Sequence, residues 1–268
     1  MSWLKKSIRG VDLSYFQAGM DVSLFVESNP SVEFYLVRAV WPNGQTDQCF
    51  GRIYDTLVNE GQTVGAYLWP NPIISLAKVK TNWERAIDGR KLAWVAVDIE
   101  WSQTDWKNSV GAPIRTITED TRQSLRMATD MFGENVLIYT SGGFWDANIR
   151  EHGWEKDYKF WVPNYPTPFQ VKPDEWRQCA TFEECNQAVI GTTRYAGFPR
   201  LGEWIPPENV VGWQFSDHGR LPGYAKNIDL DLWLEEYIAP TPTPNWDDID
   251  MLERMDILRQ LADSHGLI

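Results

Sequence analysis

The sequence predicts an α/β protein built as one irregular (β/α) barrel of the TIM-like type. Three observations point there. Short apolar runs of strand length alternate with amphipathic segments of helix length, the pattern of parallel strands joined by helical crossovers. The length of 268 residues suits one such barrel. Acidic and aromatic residues recur where the apolar runs end, and in this architecture that end carries the active site.

Residues 11–14, 34–39, 63–68, 93–100, 135–140, 160–162 and 210–214 read as strands, being short, β-branched or aromatic and bounded by turn residues. Residues 49–61, 75–88 and 118–132 read as amphipathic helices. Thr118-Glu119-Asp120 looks like a capped start of the last one, and Gly133 its stop. Asp229 also stands where an N-cap before Leu230–Leu234 would stand. Residues 166–209 read as a long irregular loop beside the site. The barrel is expected to occupy 1–238. Residues 239–246, with alternating Pro and Thr, read as an extended linker. In 247–268, the spacing of Ile249, Leu252, Met255, Leu258 and Leu261 predicts a short amphipathic helix, a candidate for self-association or for docking on a virion.

Composition narrows the function. A net charge of −12 excludes a phosphate backbone as the natural partner. No apolar run approaches the ~20 residues of a membrane span. Lys5, Lys6 and Arg9 are not followed by an apolar stretch, so no signal peptide is expected. Cys49, Cys179 and Cys185 read as reduced thiols without metal-ligand spacing, and neither a metal nor an organic cofactor is expected. The chain holds 15 Trp, 10 Tyr and 11 Phe, more than a core of this size needs, and flat rings also pack against sugar faces.

The apolar run 91–101 ends in Asp98 and Glu100. Side chains alternate along a strand, so this spacing puts both carboxyls on one face, with Cα atoms about 6.5 Å apart. Repulsion and burial should raise one pKa and leave the other group ionised. A proton donor beside an anion is what cleavage of a glycosidic bond requires. Alone, the pair fits a metal site or a structural pair as well. Asp12 ends the first strand, Tyr67 and Tyr139 close others, and Trp213-Gln214 and Asp229 lie late in the chain.

The order of these segments resembles the lysozymes of glycoside hydrolase family 25, N-acetylmuramidases often found as phage endolysins. The resemblance spans about Ile8 to Tyr237. It rests on Asp12, Ser14 and Gln17, Gly65-Ala66-Tyr67, Asp98 with Glu100, and Ile138 to Ser141. Trp161 with Tyr165, Trp213-Gln214-Phe215-Ser216 and Ile228-Asp229-Leu230-Asp231 complete it. Phe215 stands for a usual Tyr and Asp231 for a usual Asn. The stretch from Arg38 to Gly44 lacks the acid that usually precedes its Gly.

The resemblance implies a retaining muramidase acting on the β-1,4 bond between N-acetylmuramic acid and N-acetylglucosamine of peptidoglycan. Glu100 would be the general acid. Asp98 would be the anion facing the sugar, as nucleophile or as a partner of the substrate's 2-acetamido group. Asp12 and Asp229 would shape the field. Tyr67, Tyr139, Trp161, Tyr165, Trp213 and Gln214 would line the glycan groove. Such an enzyme would be made in a host cytoplasm and released to the wall, or carried on a virion. The alternative is a catalytically silent wall-binding or virion module on the same fold.

Overall fold

The computed structural model describes residues 7–166, 179–189 and 201–237. Eight strands close into a barrel in chain order. β1 (Ser7–Leu13), β2 (Phe34–Val40), β3 (Thr63–Leu68), β4 (Val95–Asp98), β5 (Val136–Tyr139), β6 (Lys159–Pro163) and β7 (Val210–Gly219) are parallel neighbours. β8 (Ile228–Leu234) lies antiparallel to both β7 and β1 and closes the barrel between them. Helices α1 (Val22–Ser28), α2 (Phe50–Asn59), α3 (Leu76–Ile87), α4 (Gln103–Ser109), α5 (Ile117–Phe132), α6 (Gly142–Asn148) and α7 (Phe182–Val189) occupy the connections. The expected linker and the 247–268 helix lie outside the described residues, as does much of 166–209.

Each run expected to be a strand falls on an observed one, and the three expected helices correspond to α2, α3 and α5. Three details differ. β4 ends at Asp98, so Glu100 sits two residues past the strand. α5 starts earlier than expected: Thr116 is its N-cap, and the Glu119 carboxylate accepts the Thr116 N–H at 2.9 Å. Thr118 lies inside the first turn and accepts the Arg150 N–H at 2.9 Å. Finally, Asp229 is not a helix N-cap. The segment Ile228–Leu234 alternates with period two, sending Trp233 to the lumen while Leu230 and Leu232 join the outer core, and that alternation overrides the capping preference of Asp229.

Two apolar layers hold the barrel. The outer core lies between the strands and the helices. The lumen is filled by Phe34, Trp94, Trp161, Trp233, Tyr67 and Tyr139 with small aliphatic neighbours. Phe34, Trp94 and Trp233 meet with ring centroids 5.1–6.0 Å apart. Burial of such a ring contributes roughly 2–3 kcal/mol. Rings this large fit only because glycines face them. A Cβ on Gly10 would lie 2.1 Å from Cζ of Phe34, and one on Gly212 would lie 2.5 Å from Nε1 of Trp233.

Gly10→Ala should therefore destabilise the barrel by about 1–3 kcal/mol through overpacking. In thermal denaturation this is a fall of roughly 3–9 °C. An unchanged melting temperature would show that the Phe34 ring gives way freely.

Candidate active site

A pocket of about 110 Å³ opens at the C-terminal ends of the parallel strands. Every strand contributes one side chain to it: Asp12, Arg38, Tyr67, Asp98, Tyr139, Trp161, Gln214 and Asp229, from β1 to β8 in order. Trp69 and Glu100, just past β3 and β4, complete the lining. Strand register brings the groups together. Asp12 lies opposite Asp229, Arg38 opposite Tyr67, and Tyr139 between Asp98 and Trp161. A larger groove of about 680 Å³ lies between α4, α5 and α6, but none of the barrel acids reaches it. The clustered acids lie in the smaller pocket.

Hydrogen bonds fix the lining. The phenols of Tyr139 and Tyr165 donate to Oε1 of Gln214 at 2.8 and 2.7 Å. The Gln214 amide then donates to Oδ2 of Asp12 at 2.7 Å. The Trp161 indole donates to Oδ1 of Asp231 at 2.8 Å. Arg38 is held from behind: its Nε donates to Oδ2 of Asp47 at 2.9 Å, and its guanidinium lies 3.4 Å from the centroid of the Trp41 ring. Asp47 also accepts the Tyr15 N–H at 3.0 Å and the Cys49 N–H at 2.9 Å, so this one carboxylate ties the β1 turn, Arg38 and the start of α2 together.

Burial governs the electrostatics. Asp12, Asp98 and Asp231 are buried, and Asp229 is half-buried. Burial raises Asp12 to about 6, although the Gln214 amide, Asp229, Arg38 and Asp231 all favour its anion. Burial and then contact with Asp12 hold Asp229 and Asp231 well above the carboxylate range, as neutral acids that donate to Asp12. Asp98 is also held well above that range, by burial first and then by Glu100. Glu100 is raised to about 7 by the protein packed around it, while the hydrogen bond from Asp98 favours its anion. One side of the Glu100 carboxyl stays open to solvent, so its desolvation is partial. The sequence reading expected one raised acid beside one ionised acid. Instead both are raised, because Asp98 is the deeper of the two and faces Asp12 as well as Glu100. They titrate as a pair that holds a shared proton.

All four expected acids meet in this pocket, together with Tyr67, Tyr139, Trp161 and Gln214. Tyr165 touches it through Gln214. Trp213 does not reach it: Gly212 and Gln214 face the lumen, so Trp213 between them faces the outer core, where its indole donates to the Asn164 carbonyl at 2.7 Å. Sequence reasoning missed Arg38, Trp69 and the structural role of Asp231. The signal for Arg38 was its position as the one charge in the apolar run Phe34–Val40. Among the described residues no His, Cys, Asp or Glu cluster is arranged to hold a metal ion.

The family model of glycosyl hydrolases family 25 matches residues 11–191, which contain three of the four acids and most of the barrel. The chain belongs to glycosyl hydrolase family 25. No curated protein matches it by sequence. Solved structures of this family 25 hydrolase's fold include a bacterial lysozyme from Streptomyces coelicolor, 18% identical, with a TM-score of 0.59 over 84% of this chain and 91% of that one. A family 25 glycosyl hydrolase from Bacillus anthracis gives 16% identity and a TM-score of 0.58, over 85% of this chain and 89% of that one. A GH25 lysozyme from Aspergillus fumigatus gives 14% and 0.56, over 87% and 100%. At these identities the likeness establishes the fold, and the family establishes glycoside hydrolysis.

The raised carboxyls set a sign for stability. The folded enzyme keeps protons that the unfolded chain releases near pH 4, so stability falls as pH rises from about 4 through 6 to 7. Asp231→Asn keeps an acceptor for Trp161 and a donor for Asp12 while removing one buried acid. It should raise the melting temperature at pH 7.5 by about 3 °C, equivalent to about 1 kcal/mol, and flatten its fall between pH 5 and 7.5. A lower melting temperature for the variant at both pH values would contradict this.

Proposed function

We propose that this family 25 hydrolase is a muramidase that cleaves the β-1,4 bond between N-acetylmuramic acid and N-acetylglucosamine of peptidoglycan, with retention. The observation that carries the reading is the Asp98–Glu100 pair: two acids sharing a proton, one buried and one reaching solvent, in a pocket lined from every strand. Glu100, on the open side, hands the proton to the leaving oxygen. Asp98 is left as the anion beside the developing oxocarbenium ion, as nucleophile or as the partner of the 2-acetamido group. Retention is the outcome expected when the acid and the anion lie on one face, two residues apart in the chain.

A lysozyme among the structural neighbours, and an autolysin solved with a synthetic peptidoglycan ligand, support the substrate class. The catalytic domain of an endolysin from a Listeria bacteriophage supports action on a wall from an infected cell or a particle. A silent wall-binding module fits less well, since a binder gains nothing from buried acids that lower its stability. For the tail 247–268, the apolar spacing in the sequence supports an association segment. Light scattering should then give a larger molar mass for the full chain than for one ending at residue 238, and equal monomeric masses would end that idea.

Glu100→Gln should lower release of new muramic-acid reducing ends from purified walls by about 10³-fold, read by mass spectrometry, with the melting temperature nearly unchanged. In the parent enzyme kcat/KM should fall on the alkaline side, where the Asp98–Glu100 pair loses its shared proton. Undiminished lysis by Glu100→Gln would refute the assignment.

A further inference from the structure

The catalytic pocket continues, at Asp229, into a second cavity of about 580 Å³. Its walls are the turn after β1, with Phe16 and Gln17, and the β7–β8 connection, with Arg220, Lys226 and Asn227. These walls are fastened to each other. The Gln17 amide donates to the Asn227 carbonyl at 3.4 Å, and the Tyr224 hydroxyl donates to the Phe16 carbonyl at 3.0 Å. Arg220 is tied across its own turn, donating to the Ala225 carbonyl at 3.1 Å. The cavity thus exists before any ligand arrives, which lowers the ordering cost of binding.

Its chemistry is opposite to that of the pocket it joins. In a chain of net charge −12, and beside four buried or half-buried carboxyls, it presents two cations, Arg220 and Lys226. Neither forms an ion pair among the described residues. The two acids that face the same space are occupied: Asp217 contacts the His218 imidazole, and Asp229 is held neutral in the Asp12 cluster. Phe16, 66% exposed, adds an apolar face at the rim. A bare neutral sugar would use the ring but leave both cations idle. A ligand matching the whole cavity is a glycan substituent with a carboxylate and an aliphatic stretch.

Building on the muramidase reading, we infer that this second cavity binds the carboxylate-bearing stem peptide of the peptidoglycan strand, with Arg220 and Lys226 receiving the carboxylate and Phe16 packing on its aliphatic part. The site is then selective for glycan that still carries its peptides.

The test compares stem-bearing peptidoglycan with the same glycan stripped of peptides by an N-acetylmuramoyl-L-alanine amidase, both soluble and assayed at low salt. Arg220→Ala with Lys226→Ala should raise KM on stem-bearing glycan about tenfold and leave kcat and the stripped-glycan rate within about twofold. Arg220→Lys, which keeps the charge and the turn, should restore most of the loss. Equal losses on both substrates, or no loss on the stem-bearing one, would overturn the inference while leaving the muramidase reading intact. If the parent cleaves neither glycan, that reading falls and the inference falls with it.

Discussion

Closure of the barrel by an antiparallel last strand is the constraint on which the site depends. A parallel eighth strand would bring its last residues to the catalytic end. β8 runs the other way and brings its first residues there, so that Asp229 pairs with Asp12 and Asp231 follows one step deeper. Asp12, the only acid β1 supplies to the pocket, thereby acquires two carboxyl neighbours inside a barrel that excludes water. Burying acids together opposes folding. The lumen beneath, packed with aromatic rings against glycines, supplies the offsetting apolar burial.

Proton sharing is the resolution of that conflict. Charges this close cannot all be anions, so the cluster keeps protons that an exposed surface would release. They are placed with direction. Around Asp12, the neutral acids Asp229 and Asp231 and the Gln214 amide all donate inward, which makes Asp12 the standing anion of the pocket. At β4 the two coupled carboxyls differ in depth, Asp98 being buried and Glu100 open to solvent. The pair is thus ordered by depth, a property that strand spacing alone does not contain.

Much of this was legible in the sequence. Seven apolar runs marked seven strands, and the spacing of Asp98 and Glu100 placed both acids at one pocket. The eighth strand was obscured because its inward positions are two acids and a tryptophan. An alternation of Asp with Leu can be read as a capped helix until its neighbours are known. Trp213 was assigned to the groove because aromatic content does not say which way a residue faces; its neighbours Gly212 and Gln214 take the inward positions. Arg38 was passed over although a lone charge in an apolar strand demands a partner, and Asp47, nine residues away and in a turn, supplies it.

The ring of Trp161 is bonded through its indole N–H to Asp231 and lies with its centroid 4.3 Å from that of Tyr139, whose hydroxyl belongs to the Gln214–Asp12 chain. Excited indoles respond to the charge and hydrogen bonding around them. The protein therefore carries its own optical reporter at the floor of the pocket, coupled to the protonation of the acids and to whatever enters above them, with no label added.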